Sequence, residues 1–301
     1  MQLKQIIGAF IGWIALAPMV AIATPTAPST DLAVGPQYDT THVYVAPEDF
    51  ERFVRSITAT FGGTTSKQGV FTVTPTPSKT MSQLVLTPVG TLSIFGFQTP
   101  IPFPFGIERT GYLVQDLDAA VNAARADGAD IVVTSFPDPI GRDVIIRWPG
   151  GVYMQLYWHT VAPSYGSLES IPENRVYLST DQAQLFVERF VHFSHGAVLT
   201  RVANAPGVEI GRPGDHYQNT RIESPYGRMS VIATDGHIPW PYGRETTGYE
   251  VKDLPATLSK ASAAGATVLV APFRSRGRQS AMVQFPGGYI AEIHAVNDVT
   301  P

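Results

Sequence analysis

The 301-residue sequence contains no cysteine. That absence removes disulfide staples, thiolate nucleophiles and cysteine-ligated zinc together. A chain with no thiols needs no reducing compartment, so export stays open. Charge is sparse as well. Only 15% of residues are charged, the net charge is −4, and no run of Lys or Arg occurs. A general nucleic-acid binder, which needs a continuous basic stripe, is therefore excluded. Also missing are the G-x-S-x-G elbow, the Walker A loop, the Rossmann glycine fingerprint and H-E-x-x-H. What remains is a 44% hydrophobic chain with room for two domains of ordinary size.

The first residues have their own pattern. Lys4 precedes an apolar stretch over residues 6–20, broken by Gly8, Gly12 and Pro18, and Ala21-Ile22-Ala23 supplies a small-x-small cleavage pattern. This predicts a signal peptide over residues 1–23 and a periplasmic or secreted protein. A Thr/Pro-rich linker is expected over residues 24–38. The competing reading is an uncleaved anchor, because residues 6–23 nearly match a bilayer span. No later stretch is long and apolar enough for a transmembrane helix.

The chain contains itself. Gly111-Tyr-Leu-Val-Gln-Asp-Leu returns 137 residues later as Gly248-Tyr-Glu-Val-Lys-Asp-Leu. At the same offset Gly128-Ala129 meets Gly265-Ala266, Phe136 meets Phe273, and Pro149-Gly-Gly meets Pro286-Gly-Gly. Phe103-Pro-Phe-Gly likewise meets Trp240-Pro-Tyr-Gly. Nearer the start of each copy the offset is 133, where His42-Val-Tyr-Val meets Arg175-Val-Tyr-Leu. Two copies are expected, over residues 39–160 and 173–296, joined by a linker over 161–172.

Within a copy the periodicity changes in a fixed order. Residues 42–46 read as a strand, and Phe50, Phe53, Val54 and Ile57 have helical spacing in 47–61. Gly62-Gly63 ends that helix. Strands are expected near residues 70–74, 83–87 and 91–95. The order then restarts with a strand at 112–114, a helix at 117–126 capped by Asp116, and strands near 131–134, 144–147 and 153–158. Each copy thus reads as two βαβββ modules.

The run Val114-Gln-Asp116-Leu, Gly128-Ala129 and Trp148-Pro-Gly-Gly-Val-Tyr-Met-Gln155 resembles the second module of a vicinal oxygen chelate domain (the glyoxalase, bleomycin-resistance and extradiol-dioxygenase superfamily). Residues 251–293 repeat the resemblance. It implies an α+β fold of four βαβββ modules forming two cups, each suited to a small molecule and often to a divalent metal. The family's ligand places fall on His42, Arg109 and Gln155 in the first copy, and on Arg175, Thr246 and Glu292 in the second. Ser93 and Ser230 are the cup-facing residues expected on the last strand of each first module.

Neither set is a complete metal triad, and a fixed arginine repels a divalent ion. Glu292 with His294, joined by His216 or His237, is an unconventional alternative. Against it stands the reading of His294 and His159 as strand-end residues near solvent. Arg109 and Arg175 beside Tyr44 and Tyr177 suit an aromatic or anionic ligand, or form structural ion pairs. The aromatic loops at residues 100–106 and 239–243 read as lids over the cups or as rigid connectors. The cluster at 274–278 reads as a solvated basic turn. Two functions follow. One is an exported lyase, isomerase or ring-cleaving dioxygenase with one degenerate half, in which His42 and Gln155 are ligands and Glu292 is ligand or general base. The other is a metal-free protein that sequesters a small molecule.

Overall fold

The computed structural model describes residues 31–296; the expected signal segment and the first part of the expected linker lie outside the described residues. In the first half the order is β1 (Thr40–Tyr44), α1 (Phe50–Phe61), β2 (Thr64–Thr65), β3 (Gly69–Phe71), β4 (Thr80–Thr87) and β5 (Gly90–Phe97). The second module follows as β6 (Thr110–Leu113), α2 (Leu117–Ala126), β7 (Asp130–Asp138), β8 (Gly141–Trp148) and β9 (Val152–His159). In the second half come β10 (Glu173–Ser179), α3 (Thr180–Ser194), β11 (Ala197–Pro206), β12 (His216–Ser224) and β13 (Gly227–Thr234). The chain closes with β14 (Thr246–Glu250), α4 (Leu254–Ala263), β15 (Thr267–Ser275), β16 (Arg278–Gln284) and β17 (Ile290–Val296).

Local chemistry accounts for these elements. Phe50, Phe53, Val54 and Ile57 bury one face of α1, and Gly62 at φ 79° ends it. Asp116 accepts from the Ala119 amide at 2.9 Å and starts α2, and Asp253 does the same for α4 through Ala256. The strand expected at 70–74 is shorter, ending at Phe71. Pro75 and Pro77 follow it and have no amide hydrogens for a ladder.

Each half forms one mixed sheet. Its two modules meet at their first strands, which pair antiparallel: Thr40 with Gly111, and Glu173 with Gly248. Within a module the first strand runs parallel to the last, so His42 pairs Ser93 and Gly111 pairs Gln155. In the second half Arg175 pairs Ser230 and Gly248 pairs Glu292. Alternation along β1 sends Val43 and Val45 to the outer face and His42 and Tyr44 to the inner one.

The outer faces make two cores, and each core draws on both halves. Leu117, Trp148 and Met154 of the first half pack with Phe186, Phe190 and Met229 of the second. Phe50, Ile57 and Leu92 pack with Tyr249, Leu254 and Phe285. Leu32 and Ala33, within the expected linker, are buried in the first of these cores. The two Pro-Gly-Gly turns tighten the arrangement. A Cβ on Gly150 would lie 2.6 Å from Leu178 Cδ2, and one on Gly287 would lie 2.7 Å from Val45 Cγ1. Each turn therefore needs glycine to seat against the other half. The inner faces take no part in this packing and are free to hold something else.

Candidate functional site

In the first half, Thr40, His42 and Tyr44 of β1, Ser93 and Phe95 of β5, and Gln155, Tyr157 and His159 of β9 wall a cavity of about 290 Å³. His42 is buried there, with Nδ1 3.6 Å from Glu108 Oε1. Glu108 is fully buried and accepts a hydrogen bond from the Tyr44 hydroxyl. Gly111 makes room for this: a Cβ there would sit 2.4 Å from His42 Nε2. The cavity also reaches Asp138 and Asp143. Burial, reinforced by Asp138, holds the Asp143 carboxyl well above the usual carboxylate range. Burial lowers His159, against the opposing pull of Asp138. The lining therefore combines a carboxyl whose pKa burial raises with two imidazoles, groups of the kind that proton transfer uses.

The second half builds the same place differently. The space between Arg175, Glu209, Ser280 and Glu292 is only about 10 Å³, and a more open pocket of about 330 Å³ lies beside it against Glu173, Arg221 and Arg278. Arg175 lies 3.6 Å from Glu173 and 3.9 Å from Glu292. Glu292 meets His294 Nδ1 at 2.7 Å, and Asn219 donates to Ser230 at 2.7 Å. Burial works to raise Glu292, but His294 and Arg175 prevail and bring it down to about 2. The basic cluster expected to be solvated is so at Arg274, but two of its arginines pair with carboxylates of the cup. Arg278 meets Glu173 at 3.3 Å, and Arg276, at φ 45°, reaches Glu209 and also Asn219 at 3.2 Å. The buried carboxylates draw these guanidiniums in, because an unpaired buried charge is costly. Burial raises Glu209, yet the hydrogen bonds from Arg276, Ser275 and Tyr217 outweigh it and hold the group below its ordinary value.

Of the expected site residues, His42, Gln155, Ser93 and Tyr44 share the first cavity. Arg175, Glu292 and His294 share the second half's polar network, and Tyr177 packs in the small apolar cluster around Ile210, Tyr217 and Ile232. Arg109 leaves the cup. It lines a separate cleft between the halves and lies over the Tyr44 ring at 5.9 Å. Thr246 lines the same cleft. The register places Gly111 opposite Gln155 and Gly248 opposite Glu292, so a glycine stands where a ligand at Arg109 or Thr246 was expected. His216 is exposed on β12, and His237 lies in a loop. Among the described residues, no three His, Cys, Asp or Glu side chains are placed to hold a metal ion. At the expected ligand places the first cup offers one imidazole and one amide, and the carboxylate of the second is committed to Arg175 and His294. These donors do not fit a metal triad of the expected kind.

Sequence reasoning missed Glu108, Asp143 and the inward turn of Arg276. Glu108 had a signal, since it recurs at the repeat offset as Glu245. Asp143 had none, because its counterpart is Ser280.

The two sheets of paired βαβββ modules share their fold with several solved structures. A triple mutant of 4-hydroxymandelate synthase from Streptomyces coelicolor superposes with a TM-score of 0.58 at 11% identity, covering 90% of this chain and 94% of that one. The 2,3-dioxygenase LapB from Pseudomonas sp. KL28 gives 0.54 at 12% identity, covering 88% and 93%. The Mn(II)-bound glyoxalase from Novosphingobium aromaticivorans gives 0.52 at 11%, covering 88% and 82%. No family model and no curated protein matches the sequence. Among the described residues, no helix is long and apolar enough to cross a membrane.

Proposed function

We propose that the protein is exported and acts on a small organic molecule held in the first cup, by proton transfer of the lyase or isomerase type, with the second half kept as a structural partner. The observation that carries this reading is the difference in lining: His42, Asp143 and Gln155 wall a 290 Å³ cavity, whereas Arg175 and Glu292 at the equivalent places close the space to about 10 Å³ with ion pairs, and the pocket of about 330 Å³ beside them is walled by the ion-paired Glu173, Arg221 and Arg278. In this reading His42 is the base. Glu108 faces its imidazole from 3.6 Å, and the Tyr44 hydroxyl donates to Glu108. Asp143 supplies a proton, and Ser93 and Gln155 hydrogen-bond substrate oxygens. Glu292 serves stability rather than chemistry. The three neighbours named above, two of them a glyoxalase and a dioxygenase, support a small-molecule role for the scaffold. The reaction types narrow to lyase or isomerase because proton transfer uses the groups that line the cavity.

The test is solvent-deuterium exchange at C3 of a panel of 2-keto acids and at C2 of the matching 2-hydroxy acids, followed by NMR with the exported form of the chain. His42→Ala should slow exchange by about 10²- to 10⁴-fold with its thermal melt retained. Wild-type protein that exchanges no member of the panel would sink the catalytic reading. The second reading, a metal-free sequestration protein, draws on the glycine at position 111 in place of a ligand. It predicts that the same compounds raise the melting temperature without turnover.

A further inference from the structure

A second cavity, of about 460 Å³, opens between the halves and has no part in the chemistry above. Arg109 and Arg244 line it, with the side chains of Tyr44, Tyr289 and Ile107 and the Gly287-Gly288 turn. Every arginine turned into the second cup is matched by a carboxylate: Arg175, Arg221 and Arg278 by Glu173, and Arg276 by Glu209. The two in the cleft are not. Among the described residues neither Arg109 nor Arg244 forms an ion pair, and Arg109 only lies over the Tyr44 ring. Two cations in one concave, partly apolar space repel each other and raise the local positive potential.

The acid in the lining does not cancel this charge. Glu245 is held by the Asn174 amide and the Thr110 hydroxyl, each at 3.2 Å. Burial pushes its carboxyl up to about 7, against those two hydrogen bonds and the pull of Arg109. Glu108 raises it further, while its own carboxylate is turned to Tyr44 and His42. Near neutral pH, part of the Glu245 population is uncharged, and the cleft keeps a positive balance.

We propose that this cleft is a second ligand site, for a small organic oxyanion carried on a flat apolar group. The guanidiniums would take the oxyanion, since a planar fork matches a carboxylate or phosphate. The apolar part would lie among Tyr44, Tyr289 and Ile107. Tyr44 is shared with the first cavity, whereas the two arginines line only the cleft, so substitution separates the two sites.

The experiment is titration calorimetry at low salt with benzoate, its neutral isostere benzamide, and inorganic phosphate. Wild type should bind benzoate at least roughly tenfold more tightly than benzamide. Arg109→Gln and Arg244→Gln should each weaken benzoate by about tenfold, and the double variant more. Arg244 is exposed, so that variant keeps the fold and remains a fair test. Equal affinity for benzoate and benzamide, or unchanged benzoate binding in both variants, would overturn the proposal. Phosphate binding as tight as benzoate would overturn its apolar half. Loss of benzoate in His42→Ala with retention in both arginine variants would put the anion in the first cup and overturn the proposal as well.

Discussion

The hairpin between β7 and β8 and the hairpin between β15 and β16 occupy equivalent places, yet they do opposite things. The first turns through Asp138, Pro139 and Ile140 and forms part of the rim of an open cavity. The second carries Arg276 where the first has Pro139, and that guanidinium reaches inward to Glu209. The inner positions behind the tips differ in the same sense: His42 against Arg175, Gln155 against Glu292, Asp143 against Ser280. The outer positions differ far less, because each core needs apolar surface from both halves. In a duplicated scaffold of this kind, shared packing constrains one face of the sheet and leaves the other to diverge. One copy has used that freedom for a cavity and the other for an ion-pair network.

The largest effect should come from breaking the network. Glu292→Gln leaves Arg175 buried without its full charge complement, and removing one member of a buried pair costs about 3–5 kcal/mol. Urea unfolding would measure it. The equivalent change, Gln155→Leu, faces an open cavity and should cost much less. The same carboxylate makes stability depend on pH. Its folded-state value, about 2, lies below the ordinary 4.5. The stabilisation is therefore complete above the ordinary carboxylate range and is lost as pH falls toward the folded value. Melting temperatures taken between about pH 5 and pH 2 should drop more steeply for wild type than for Glu292→Gln. Parallel slopes would remove Glu292 from its central place in the network.

A smaller effect should separate the two inter-half turns. Gly150 and Gly287 both sit at φ 83°, so alanine at either costs about 1–2 kcal/mol in backbone strain. Their neighbours differ. The new methyl at 150 meets the far end of Leu178, which can swing aside, whereas at 287 it meets both Cγ1 and Cβ of the short, β-branched Val45. Gly287→Ala should therefore lose a further ~1 kcal/mol or more by overpacking. Equal losses in calorimetric melts would mean that both seats relax alike.

The division between outer and inner faces also explains what could be read from the sequence. Helix α2 was legible to the residue, because Asp116, the apolar spacing of Leu117, Ala120 and Ala124, and Gly128 are local signals. So was the repeat, whose matches fall in the Asp-Leu and Pro-Gly-Gly segments that build the outer faces and turns. Placing Arg109 in the cup failed because counting back from Asp116 does not reveal register. Gly111, set by its pairing with Gln155, holds that row. The inward turn of Arg276 and Arg278 was illegible for a related reason. Their partners Glu209 and Glu173 are 67 and 105 residues away in sequence, and local charge patterning sees only the cluster.

The smallest effect tests whether the halves are equal where they look equal. Asp116 and Asp253 cap α2 and α4 with the same 2.9 Å bond to the third residue onward. Replacing either by alanine should cost about 1 kcal/mol. Because α2 packs with the second half's first module and α4 with the first half's, either loss should be felt by the whole described body. Differential scanning calorimetry should then show one transition shifted by a similar amount in both variants. Two separated transitions, with Asp253→Ala moving only one of them, would mean that the cavity-bearing half holds its fold without the ion-paired half, and the structural role given to the second half would fall.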